Sequence, residues 1–170
     1  MIRLAWIFYL PMIATAFLVQ EPGTFRIGDW TRFAEGMGAA LVGTAAVVLG
    51  SRWISRHTSW GRRLFAEFAQ VLGGLNSRQI LTLSLLAAFG EEILFRGVVQ
   101  PWIGFWITAA LFALFHFPAK RALIPWSLFA GVLGLALGAL VIAFGSLWPA
   151  ILLHFGVNYF NLHDLAERAR

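Results

Sequence analysis

Residues 80–99 read ILTLSLLAAFGEEILFRGVV. A helix needs about 20 predominantly apolar residues to cross roughly 30 Å of hydrocarbon, and this run has that length. Yet it carries Glu91, Glu92 and Arg96. An ionisable side chain at the centre of a span costs about 2.5–3.5 kcal/mol on insertion scales, so its default reading is a functional site. The stretch therefore predicts a membrane helix with chemistry built into it.

The rest of the chain agrees with that class. Of its 170 residues 59% are hydrophobic and 12% charged, about half the charged fraction of a soluble domain. Mean hydropathy is +0.76. Five further apolar segments flank the first: 4–19, 33–50, 102–117, 122–144 and 147–162. Strand-like alternation is absent, and only helices or closed barrels can cross lipid. The expected fold is an all-α polytopic membrane bundle of about six transmembrane helices. Three regions are expected: residues 1–78 with two spans and a basic loop, a catalytic membrane core at 79–163, and a short cytoplasmic tail at 164–170. The apolar start, with Pro11 and Ala14-Thr15-Ala16, is read as a retained span rather than a cleaved signal.

Twelve arginines and one lysine give a net charge of +5. In a six-span arrangement Arg3, Arg52, Arg56, Arg62, Arg63, Arg78, Lys120, Arg121, Arg168 and Arg170 fall on one side. Arg26 and Arg32 fall on the other, and Arg96 is embedded. The positive-inside rule then places both termini in the cytoplasm. These charges sit in short loops, so they report topology and give no nucleic-acid face. The chain has no cysteine, which excludes a thiol nucleophile and Cys-ligated zinc.

Between the second and third segments, Leu64, Phe65, Phe68, Val71 and Leu72 recur at helical spacing. Two readings stay open: an amphipathic helix on the inner membrane surface, or a loop entering the third span. Gly73-Gly74 ends it, and Asn76-Ser77 offers a cap for the third span. Gly134-x-x-x-Gly138 in the fifth segment predicts close packing inside the bundle. Trp6, Trp30, Trp102, Trp126 and Trp148 lie near segment ends, as an aromatic belt requires.

Two further patterns accompany the first: Phe112-x-x-x-His116 and His154-x-x-x-Asn158. Glu92 and Arg96, four apart with the acid N-terminal, share a helix face and form an intrahelical ion pair that braces the site. Glu91 points about 100° away and has no partner in its own helix. It is the candidate general base. His116, one turn after Phe112, completes either a Glu–His pair that deprotonates a water or a metal site that does so. His154 and Asn158 both donate hydrogen bonds from one face and suit the oxyanion formed when water attacks a peptide carbonyl. Asn161 and His163 are expected in interfacial roles. No single pattern is specific, but their order and placement in three apolar segments is.

Together, the stretches from Glu91 to Gly97, from Phe112 to His116 and from His154 to Asn158 resemble the three motifs of the CAAX-protease and bacteriocin-processing family of intramembrane endopeptidases. By that resemblance Glu91 and His116 activate the water, His154 and Asn158 stabilise the oxyanion, and Glu92 and Arg96 are structural. The family has been described both as metalloproteases and as metal-independent glutamate proteases. The resemblance favours the second, with no cofactor required, and no His-Glu-x-x-His helix is present. Zinc on Glu91, His116 and His154 is the alternative. The implied partners are a membrane-anchored or membrane-associated protein or peptide substrate and the lipid bilayer, with no nucleic acid. The implied location is a prokaryotic inner membrane.

One expectation follows from depth. At about 1.5 Å per residue, Glu91 lies roughly 18 Å from the inner end of its span and His116 only about 6 Å. Their contact requires a late start or tilt of the third span, or a loop from Pro118 to Pro125 inside the bundle. Serine and aspartyl intramembrane proteases fit poorly: Ser84 and Ser127 lack a glycine-rich context, and Asp29 and Asp164 lie at segment ends. The remaining rival is a non-catalytic scaffold, immunity protein or proton-coupled transporter using the same polar cluster.

Overall fold

The computed structural model describes residues 2–20, 23–117 and 120–169, and among these there is no strand. The order is α1 (Ile2–Val19), α2 (Trp30–His57), α3 (Ser59–Leu72), α4 (Ser77–Glu92), a π-helical segment (Ile93–Val99), α5 (Gln100–Ile103), α6 (Phe105–Phe115), a 3-10 turn (Arg121–Leu123), α7 (Ile124–Phe144) and α8 (Trp148–Arg168). The fold is an all-helical bundle. By length and composition α1, α2 and α7 can each cross a membrane, and α6 is a shorter apolar helix.

Local chemistry sets the ends. Asn76 caps α4 in a reciprocal box: its side chain accepts from Gln79 N, and the Gln79 side chain accepts from Asn76 N, both at 3.0 Å. Asp29 caps α2 by accepting from Arg32 N at 2.9 Å. Gly145, at φ 65°, closes α7 in the left-handed conformation that glycine adopts without strain.

Several boundaries differ from the sequence reading. The third segment does not stop at Val99. It continues through the π turn to Ile103 and breaks at Gly104, whose φ of 84° few other residues tolerate. The fourth segment starts after that glycine and ends at Phe115, with His116 as its cap. Residues 164–168, expected as a tail, continue α8. Arg170 and Pro118, used in the topology count and the loop expectation, lie outside the described residues.

Contacts gather the loops into two ends. At one, Arg52 and Arg56 approach Asp164 (3.6 and 3.9 Å), and Arg168 donates to Ser55. At the other, Leu147 N donates to Thr24 O, Trp148 Nε1 to Phe25 O, and Arg32 Nη2 to Ala143 O, at 3.0–3.1 Å. Arg52, Arg56 and Arg168 thus lie at one end of the bundle and Arg32 at the other.

The stretch with two open readings is a helix, α3, begun by Thr58 Oγ1 accepting from Gly61 N at 3.0 Å. Its apolar residues Leu64, Phe65, Phe68 and Leu72 line a partly open cavity. Lys120 Nζ donates to Glu67 at 2.6 Å and the Arg168 guanidinium lies 3.9 Å from the Phe65 ring centre, tying α3 to the bundle.

Glycines let the long helices touch. A Cβ on Gly156 of α8 would lie 2.6 Å from Thr44 Cγ2 and 2.9 Å from Thr44 Oγ1. Thr44 is itself buried and bonded to Ala40 O at 2.8 Å, so it has little room to yield. Gly156→Ala is expected to destabilise the α2–α8 contact by about 1–3 kcal/mol, the usual cost of overpacking. Thermal unfolding of the purified variant in detergent measures it, and an unchanged midpoint would refute the contact.

Candidate active site

The site forms where α4, the π segment, α6 and α8 meet. Glu92 and Arg96 are both fully buried, and Arg96 Nη1 donates to Glu92 Oε1 at 3.0 Å. A buried pair is tolerable only when its remaining donors and acceptors find partners. Arg96 Nη2 does, donating to Gly134 O of α7 at 2.9 Å. Four residues on, Gln100 Nε2 reaches Gly138 O at 3.3 Å. The Gly134–Gly138 stripe therefore packs internally. It brings α7 close enough for both donors, and a Cβ on Gly134 would lie 3.4 Å from Arg96 Nη2. The guanidinium also stacks over the Phe112 ring at 4.4 Å, so the phenylalanine of the second motif serves the ion pair of the first.

The two adjacent carboxylates flank one imidazole. Glu92 Oε1 accepts from His154 Nδ1 at 2.7 Å, and Glu91 Oε2 lies 3.9 Å from His154 Nε2. Glu91 and Glu92 point apart, as the helix requires, yet His154 spans the gap between them. Arg96 and His154 share the same Glu92 oxygen, so the ion pair also orients the histidine. Because a carboxylate accepts at Nδ1, Nε2 faces the cavity and donates only from the doubly protonated ring.

On α6, Phe112 O accepts from His116 Nδ1 at 2.8 Å. In the neutral ring this leaves the Nε2 lone pair directed at Glu91 Oε2, 3.6 Å away. The ring is packed between Phe112 (centroids 4.5 Å) and Trp126 (5.7 Å). Trp126, expected in an interfacial belt, instead lines the cavity.

The depth mismatch between Glu91 and His116 is resolved by counting from the other end. Glu91 lies thirteen residues before Gly104 and His116 twelve after it. At about 1.5 Å per residue both sit some 18–20 Å from that turn. Phe95 packs edge-on against Phe112 and Phe115 at 5.0 and 5.7 Å, as an antiparallel hairpin about Gly104 demands. The error came from assuming that α6 reaches the basic loop as a full span.

Glu91, His116, His154 and Asn158 all line one cavity of about 340 Å³, with the apolar face of α3 forming its far wall. Asn161 also lines it, but Ser51 Oγ donates to its side-chain oxygen at 2.7 Å. His163 lies away from the site, 3.2 Å from Glu167. Among the described residues, no group of three or more His, Asp or Glu is arranged to hold a metal ion. The residues named as the alternative zinc ligands, Glu91, His116 and His154, converge, with His116 Nε2 and His154 Nε2 3.6 and 3.9 Å from Glu91 Oε2.

One contact had no counterpart in the sequence reading. Tyr9 Oη of α1 donates to Glu91 Oε1 at 2.7 Å. The chain has only two tyrosines, and a half-buried phenol facing a cavity gains from a partner. Composition could flag Tyr9, but nothing local indicates which helix α1 packs against.

Comparison with known proteins bears on this arrangement. A family model described as type II CAAX prenyl endopeptidase, Rce1-like, matches residues 74–160. Among curated proteins, the uncharacterized protein YpbD of Bacillus subtilis (strain 168) is 39% identical over 96 residues. That stretch is 51% of this chain and 49% of YpbD, so the match spans about half of each. No solved structure matches. Glu91, Glu92, Arg96, His116, His154 and Asn158 all fall inside the family match, while Tyr9 falls outside it.

Proposed function

The chain belongs to the Rce1-like family of type II CAAX prenyl endopeptidases, and from that premise we propose that it hydrolyses a peptide bond of a membrane-held substrate by a glutamate-activated water. One observation carries the reading. Glu91 Oε2 is buried, makes no hydrogen bond to a described residue, and faces the Nε2 atoms of both His116 and His154. A buried carboxylate oxygen left without a donor needs an explanation, and a water beside it on the cavity side would be within reach of Oε2 and both Nε2 atoms.

In this mechanism Glu91 Oε2 accepts a proton as the water oxygen attacks the scissile carbonyl. His116 Nε2 accepts a second hydrogen bond from that water and helps align it. His154 Nε2, in the doubly protonated ring, and the Asn158 carboxamide donate to the developing oxyanion. A donor aimed at such an oxygen is worth about 10²–10³ in turnover. Collapse expels the amine, which takes its proton from the Glu91 carboxyl. Glu92 and Arg96 hold His154 in register and touch no reacting atom.

The apolar cavity wall suits a substrate that arrives from the bilayer. We propose a multi-pass protein of the inner membrane with both termini cytoplasmic, which the separation of basic residues between the two ends supports. Its substrates are lipid-anchored proteins, leader peptides or C-terminal sorting segments.

Membrane proteomes of cells carrying the wild type or Glu91→Gln test the reading. Uncleaved precursors should accumulate with the variant, and their termini would name the substrate. An unchanged proteome refutes the assignment. Cleavage by the purified protein should also persist in 1,10-phenanthroline. Loss of activity restored by zinc would reassign Glu91, His116 and His154 to a metal ion.

A further inference from the structure

Resting on that reading, we infer that Tyr9, on the first helix, is a positioning residue: it holds one oxygen of Glu91 so that the other faces His116 and His154. The Oη–Oε1 distance of 2.7 Å is that of a strong charge-assisted bond. The rest of the carboxylate makes it consequential. Oε2 has no hydrogen bond to a described residue, so Tyr9 is the donor that fixes the carboxylate plane. Without it, the broad terminal torsion would let the carboxylate plane tilt, so that neither oxygen is held facing the histidines.

The packing is built around this contact. Gly90 immediately precedes Glu91, and a Cβ there would lie 2.8 Å from Tyr9 Cδ1 and 2.7 Å from Met12 Cε. A missing side chain on α4 is what lets α1 approach closely enough for the phenol to reach the carboxylate. The Tyr9 ring packs edge-on against Phe8 at 5.2 Å and lines the catalytic cavity. The helix that supplies it lies outside the residues matched by the family model, so nothing in that match assigns Tyr9 a role.

Tyr9→Phe removes one oxygen and keeps the ring, so packing is retained. Two readouts on the purified protein test the inference. The first is turnover of a quenched fluorescent prenylated CAAX peptide in micelles. A hydrogen bond to a charged group implies a fall in kcat of about 10- to 100-fold, with KM within about twofold. The second is the infrared carboxylate band of Glu91, identified as the band lost in Glu91→Gln, which should shift in Tyr9→Phe.

A lowered kcat with a shifted band supports the inference. Wild-type kcat, or a lowered kcat with an unshifted band, overturns it, the latter because Tyr9 would then act only through the fold. Should the wild type leave this peptide intact, the band alone decides: a shift supports and no shift overturns. Glu91→Gln itself turning over at the wild-type rate would refute the proposed function, while the band would still report whether Tyr9 holds Glu91.

Discussion

Glu91→Gln is expected to lower turnover by about 10²- to 10⁴-fold, the range associated with a positioned general base, while substrate affinity changes by no more than about twofold. Glutamine keeps the shape of the side chain and an oxygen that can accept from Tyr9, but it cannot take the proton of water. The loss therefore falls on the chemical step, and KM is nearly preserved. Single-turnover cleavage, paired with binding of the same substrate to the variant, separates the two. A variant that cleaves at the wild-type rate would refute the role of Glu91. One that fails to bind would show that Glu91 holds substrate instead.

Arg96→Met is expected to destabilise the protein by about 3–5 kcal/mol, because it leaves Glu92 buried with its countercharge removed. Three interactions go together: the bond to Glu92, the bond to Gly134 O on α7 and the stacking over Phe112. Pairing it with Glu92→Gln should recover a large part of that loss, since no uncompensated charge then remains. The double variant should stay inactive, because His154 loses the carboxylate that orients it. Thermal unfolding in detergent, compared across both single variants and the double variant, measures the coupling. Additive losses would show that Glu92 and Arg96 do not act as a pair.

Much of the site was legible because its chemistry is local. Glu92 and Arg96 are four residues apart on one helix, and their bond follows from helix geometry. His154 and Asn158 share a face of α8 for the same reason, and both line the cavity. The cap at Asn76 and the internal packing of Gly134 and Gly138 were likewise readable from spacing, while the reciprocal bond to Gln79 appeared only in the structure. A membrane chain helps in this respect, since each polar group kept within an apolar run needs a reason to be there.

Errors arose where geometry departs from a straight span. The π segment at Ile93–Val99 has no reliable signature in apolar residues, and it carries Arg96 and leads into Gln100, which meet two glycine carbonyls on α7. The short α6 made His116 look too shallow, because depth was counted from the basic loop when the structural fixed point is Gly104. Trp126 was assigned to the interface by its position near a segment end, although its ring packs on His116.

The sequence by itself determined that this is an all-helical chain with spans long and apolar enough for a membrane. It also singled out the six polar groups that the fold gathers around one cavity, and showed that Glu92 and Arg96 belong together. Those conclusions rest on residue type and on periodicity within single helices. Only the tertiary structure decided that Glu92 also grips His154, that Glu91 and His116 are level, and that Tyr9 reaches across from the first helix. Each of these is a contact between helices far apart in the chain. Such contacts depend on which faces pack and at what depth, and helical spacing within one segment carries no information about either.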